Sequence, residues 1–286
     1  MSSGMQLLYP ASTLHTGYNR ICDPTNSPLR WLHLGRLWLP EEEQWEHSTG
    51  DHEETLVLLH GSGHVIIHDS ALTYTLGVRR DPFSDPPTML YIPSHCSYTV
   101  IAGAAGLDLA VTAAPAELRY PTRSPLLFPA EQAAQTYHGT GRWKRKIYLG
   151  TVGEYPIERL MVGETLNRPG GWTSFPPHKH DTQAPPQEMP YEEIYFFLLK
   201  PRSGFAIQRV YDPPQREQPL NETIVVHDGD TVVIPRGYHP VVGGPGYQMY
   251  YLWMMCGEIG HRTYGQASLD PDHAWLQHVD PQPDDQ

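Results

Sequence analysis

ETLVLLHG (residues 54–61) and EIYFFLL (residues 193–199) share one build: a glutamate opening an unbroken apolar run. Such runs, short and bounded by turn residues, read as strands. The likeness extends around them. MLYIP (89–93) resembles VVIP (232–235), each followed by a turn, and four residues past each proline stand Ser97 and His239. HVIIH, LTYTLGV, SYTVIA and LDLAVTAA continue the texture in the first half; IERLMVG, GFAIQRVY, ETIVVHDG and YQMYYLWMM continue it in the second. An internal duplication sets the fold. Two all-β units are expected, over 1–125 and 147–286, joined by a helical or irregular connector over 126–146. Small barrels or sandwiches fit units of this size better than one large sheet.

The bulk composition agrees. Twenty-nine prolines and 25 glycines among 286 residues imply many turns. A formal net charge of −12 speaks against nucleic acid, since phosphate binding needs clustered Lys and Arg. The three cysteines, Cys22, Cys96 and Cys256, form no disulfide framework and no CxxC knuckle. No basic region followed by an apolar core opens the chain, and no run is long enough for a membrane span, so a cytoplasmic address is expected.

The second half carries a candidate metal site. In SFPPHKHDTQAPPQEMPYEEIYFFLL (174–199), His178 and His180 are i, i+2 and share a strand face, with Lys179 opposite. By the same parity, if Glu193 points inward then Tyr195 and Phe197 do too, and Glu192 and Ile194 point away. DGDTVVIPRGYHPV (228–241) offers His239 just after a strand and a glycine-containing turn. Imidazoles with one carboxylate suit a divalent transition metal with positions left open. The first half has no such pair before Glu54; His47 and His52 have the wrong spacing, so that unit is expected to lack the metal.

HxH, a glutamate and a later histidine resemble the cupin metal signature, here with a longer gap between His180 and Glu193 and a shorter one between Gly237 and His239. Both departures, together with PPHKHD, EEIYFF, QRVYD, PRGYHPV, PGYQMYYL, HGTGRWKRKI and DPDHAW, resemble the 5-deoxy-glucuronate isomerases of bacterial inositol catabolism, over nearly the whole chain. One feature, Trp253 in YLWMMCGE where Asn is expected, leans toward the related 5-keto-4-deoxyuronate isomerases of pectin degradation.

The resemblance implies two tandem cupin barrels and an aldose–ketose isomerase. It implies conversion of 5-deoxy-D-glucuronate into 5-dehydro-2-deoxy-D-gluconate through an enediol, with the pectin-pathway ketouronate as the alternative substrate. It singles out Glu193 over Glu192, giving His178, His180, Glu193 and His239 as ligands of a divalent ion: zinc first, with manganese or iron compatible. A cupin dioxygenase using iron is a further alternative that ligand type alone does not separate. Tyr195, Tyr238 and Tyr251 are candidates for proton transfer, Tyr250 and Tyr251 being strand neighbours of which one faces in. Arg209 is the leading candidate for the substrate carboxylate, Gln208 its opposite-face competitor, and Arg145 in GRWKRK a third. A small sugar acid is the expected partner, and a homo-oligomer the expected assembly. The Pro-rich stretch between His180 and Glu193 is expected to border the mouth of the site.

Overall fold

The computed structural model describes residues 5–117, 119–120, 124–258 and 262–279. Twenty-one strands and three single-turn 3₁₀ segments make up its regular structure. In the first half, the long strands His52–Ile67 and Ser97–Pro115 pair along most of their length. They bend where Gly61 and Gly106 face each other, both at positive φ; a Cβ on Gly61 would collide with the Gly106 carbonyl. Around them the sheet runs Gly17–Cys22, His33–Leu39, Ser97–Pro115, His52–Ile67, Met89–Ile92, Leu126–Phe128. Gln44–Ser48 and Thr73–Arg79 add to its sides.

The second half has two layers. One sheet runs Leu8–Tyr9, Thr231–Ile234, Tyr191–Lys200, Gln248–Gly257, Met161–Asn167, Arg145–Leu149, Gln135–His138. The other runs Trp172–Thr173, Val241–Gly243, Ala206–Tyr211, Asn221–Val226, and a short pair joins His178–Lys179 to Ser268–Leu269.

The two opening runs differ from alternating half-buried strands because both their faces are covered. Leu56 and Leu58 point into the first barrel with Leu37, Leu90 and Leu109. Val57 and Leu59 point the other way, into a core shared with Leu160, Met161, Ile194 and Met254 of the second half. The halves therefore pack sheet against sheet and bury each other's outer faces.

Polar groups lock this seam. Glu53 accepts N–H bonds from Glu158, Arg159 and Leu160 at 2.8, 2.7 and 2.7 Å. Glu192, just before the similar apolar run of the second half, accepts them from Arg30, Trp31 and Leu32 at 2.7, 2.7 and 2.6 Å. Arg79 of the first half pairs with Glu164 of the second through two bonds of 2.7 Å, both side chains almost wholly buried.

Two boundaries differ from the sequence reading. The segment 126–146, expected to be helical or irregular, contributes Leu126–Phe128 to the first sheet and Gln135–His138 to the second. Gln135–His138 alternates exposed and half-buried residues, as an edge strand does, and its polarity hid it. Leu8–Tyr9 leaves the first unit and pairs with Thr231 and Val232, covering an otherwise open sheet edge.

Candidate metal centre

The inner face of the second-half sheet and the short strands opposite it enclose a cavity of about 360 Å³. His178, His180 and Glu193 line it. One nitrogen from each of His178, His180 and His239 lies within 4.8 Å of the others. Glu193 Oε2 stands 3.1 Å from His180 Nε2 and 3.3 Å from His239 Nε2.

Backbone carbonyls orient the rings. His180 Nδ1 bonds the Tyr191 carbonyl at 2.9 Å and His239 Nδ1 that of Gly237 at 2.9 Å; His178 Nδ1 is 3.4 Å from that of Pro176. With Nδ1 as donor, each Nε2 turns a lone pair toward the common centre. Lone pairs and a carboxylate facing one another repel unless a cation sits between them. His239 Nε2 is in fact buried with no hydrogen-bond partner among the described residues. The three histidines therefore fit a divalent cation, with Glu193 beside two of them as a further donor; three ligands leave a tetrahedral position open, and four leave two open only in an octahedral shell.

The electrostatics point the same way. Burial would raise the Glu193 carboxyl, but the His180 and His239 imidazoles beside it hold it down to about 2. Burial, then the neighbouring His239 and His180, holds the His178 imidazole well below its ordinary range, keeping it neutral and able to ligate.

A turn at Gly237 helps place these ligands. Gly237 sits at φ +91°, where a Cβ would press on the Tyr211 carbonyl, and its N–H donates to Asp181 at 2.8 Å. Asp181 follows His180 directly, so this bond ties the two ligand-bearing segments together. The Pro-rich stretch does not border the cavity: no residue of 181–190 is among its lining. Instead it folds over Lys179, whose ammonium bonds Asp181, Thr182 and Glu188 at 2.7–2.8 Å. Lys179 points away from the histidines, as strand parity requires, but is buried under this loop rather than solvated.

The remaining candidates separate by face. Tyr195 and Tyr251 line the cavity, their rings 4.3 Å apart; Tyr195 Oη is 2.7 Å from Ser174 Oγ, and Tyr251 Oη 2.7 Å from Thr173 Oγ1. Burial raises the Tyr195 phenol well above its ordinary value. Tyr250 faces the seam and donates to Glu164 at 2.8 Å. Tyr238 is outside: it turns opposite to His239 and packs on Tyr211, rings 5.1 Å apart. Arg209 is outside too, its guanidinium 3.9 Å over the Tyr211 ring. Gln208 points inward and is fully buried, but it packs beneath His239, Nε2 being 3.5 Å from that carbonyl, and does not reach the cavity. Arg145 does reach it.

Sequence reasoning missed His138, Ser174, Tyr264, Gln266 and Gln277 of the lining. The i, i+2 alternation of Thr136 and His138 was the available signal for His138. Ser174, Tyr264 and Gln266 come from irregular backbone and Gln277 from the short 3₁₀ segment Ala274–His278, none of which carries a strand period.

A model of the KduI/IolB family matches residues 7–276. The chain belongs to that family. Among KduI/IolB relatives, it is 38% identical over 229 residues to the 5-deoxy-glucuronate isomerase of Geobacillus thermodenitrificans, covering 80% of each chain. It is 34% identical to that of Geobacillus kaustophilus, covering 90% of this chain and 95% of the relative. A crystal structure of an IolB-like protein from Salmonella typhimurium superposes with a TM-score of 0.85 at 30% identity, over 95% of this chain and 99% of that one. Oxalate decarboxylase of Lactobacillus farciminis, at 12% identity and TM-score 0.68 over 98% and 92%, shares the fold alone. The fold is thus all-β and similar to that of cupin proteins, and the chain is an enzyme of an isomerase family. Among the described residues, no helix is long and apolar enough to cross a membrane.

Proposed function

We propose that this enzyme converts 5-deoxy-D-glucuronate into 5-dehydro-2-deoxy-D-gluconate, with His178, His180, Glu193 and His239 holding a divalent ion, zinc by preference. The observation that carries the reading is the convergence of three imidazole nitrogens, two of them beside the Glu193 carboxylate, with two phenols lining the same cavity. Bound there, the ion supplies Lewis-acid polarisation of the substrate carbonyl.

Aldose–ketose exchange moves one proton from the carbon beside the aldehyde to the aldehyde carbon. A second proton passes from the hydroxyl oxygen of the first carbon to the oxygen of the second, so the isomers have the same atoms. Tyr195 and Tyr251 serve the oxygen protons. Each phenol is hydrogen-bonded to a hydroxyl that can take up or return a proton, Ser174 and Thr173 respectively. Tyr195, with its raised pKa, acts as a donor rather than as a standing base. The sheet around them is close-packed and keeps the two phenols in fixed positions.

A second substrate has one observation in its favour. Trp253 lines the cavity, stacked on Tyr264 with centroids 5.4 Å apart, and it is the residue that leans toward the 5-keto-4-deoxyuronate isomerases. Metal-replete protein is to be assayed with both sugar acids, with and without chelator. Turnover of 5-deoxy-glucuronate that chelator abolishes is expected; faster turnover of the ketouronate would hand the reading to the second substrate. His180→Ala is expected to lose both bound metal and activity, and retention of both would sink the ligand set. A cytoplasmic address and a homo-oligomer complete the proposal, the latter checked by light scattering.

A further inference from the structure

The cavity has two chemically different ends. Glu193 is the one carboxylate among its described lining residues and stands with the three histidines; Arg145 is the one permanent cation. Two strands, Gln248–Gly257 and Met161–Asn167, intervene between theirs in the sheet. The curvature of the sheet turns both side chains into the same space.

Most other partly buried cations of the chain have an acidic partner. Arg79 has Glu164, Lys179 has Asp181 and Glu188, Arg216 has Asp181 and Asp212, and Arg36 has Asp108. Arg145 is half-buried and pairs with no acidic side chain among the described residues. Its hydrogen bonds are two long ones from Nη1, to the carbonyls of Trp143 at 3.4 Å and Phe175 at 3.3 Å. A half-buried guanidinium left without counter-charge is costly, and its fork geometry matches a carboxylate. His138 lies directly opposite Arg145 in the strand register and lines the same cavity.

We propose that Arg145 and His138 form the binding site for the substrate's carboxylate and so set the enzyme's preference for sugar acids over neutral sugars. Burial and the neighbouring Arg145 hold the His138 imidazole below its ordinary range, so it meets the anion as a neutral N–H donor. Charge then comes from Arg145 and direction from His138. The sugar is held by its acid end while its carbonyl end lies at the histidine cluster. The assignment rests on the isomerase reading only for the identity of the acid.

The test is titration calorimetry on zinc-loaded protein with two probes: 5-deoxy-glucuronate, and 5-deoxyglucose, in which CH₂OH replaces the carboxylate. Turnover of each is followed in parallel. Wild type is expected to bind the acid at least tenfold more tightly than the neutral sugar. Arg145→Met is expected to abolish that preference by weakening the acid alone, Arg145→Lys to keep part of it, and His138→Asn to reduce it. In all three, metal content stays at the wild-type level. No preference in wild type, or an unchanged preference in Arg145→Met, overturns the assignment. Equal weakening of both probes in Arg145→Met and Arg145→Lys also overturns it, by showing a structural role. Preference for the acid without turnover would support the carboxylate site while defeating the isomerase reading; turnover with an unchanged preference in Arg145→Met would do the reverse.

Discussion

Glu192 and Glu193 are chain neighbours with opposite duties. Alternation turns Glu193 into the cavity beside His180 and His239, while Glu192 receives three backbone N–H groups of the first half. The same parity separates His239 from Tyr238 and Gln208 from Arg209. Strand parity was legible in the sequence, but it gives only relative facing. It said that Gln208 and Arg209 could not both point inward, not which one did. The phenol of Tyr195 carries a prediction at this scale. Tyr195→Phe removes a hydroxyl 2.7 Å from Ser174 without changing ring packing, and kcat should fall by roughly 10²-fold, the usual worth of a positioned proton donor. Bound metal, read by atomic absorption, should not change; an unaltered kcat would take Tyr195 out of the proton path.

The Pro-rich loop is the element whose part the sequence misplaced. Its prolines marked a turn-rich excursion, but its anchor is tertiary: Lys179 reaches Glu188 from one side, while Arg216 and the Gly237 N–H reach Asp181 from the other. The loop thus braces the ligand segments from outside. Burial would raise the Asp181 carboxyl, but the hydrogen bonds from Arg216, Lys179 and Gly237 hold it well below the usual carboxylate range. Because its folded pKa is depressed, its contribution is complete above the unfolded value of about 4 and is lost as pH falls below that. Thermal melts from pH 7 down to pH 3 should show this loss in wild type. In Asp181→Asn the melting temperature should start lower at pH 7 and fall less steeply on acidification. An equally steep fall would place the acid sensitivity elsewhere. The strand Gln135–His138 makes a related point. Its polar, half-exposed pattern is what an edge strand requires, and an edge strand reads like a loop until its partner Arg145–Leu149 is known.

At the scale of the whole molecule, the two halves share a buried seam. Arg79 and Glu164 meet across the seam with almost no solvent, and Tyr250 completes the carboxylate's hydrogen bonds. Glu164→Gln leaves a buried guanidinium without its counter-charge and should destabilise the protein by about 3–5 kcal/mol, measured by denaturant unfolding. Fluorescence and far-UV circular dichroism should trace the same single transition in wild type; two separated transitions would show halves that fold independently. The runs ETLVLLHG and EIYFFLL determined the strand character, and the HxH spacing and the rim histidine pointed to three imidazoles that the fold does bring together, because alternation and turn chemistry are local properties of the chain. Which cation enters the cavity was decided by tertiary structure alone. Arg209 and Arg145 both lie in strands, and only the closure of the sheet turns Arg145 inward and leaves Arg209 over Tyr211. Absolute facing depends on how distant strands pair and curve, and no local period in the sequence encodes that.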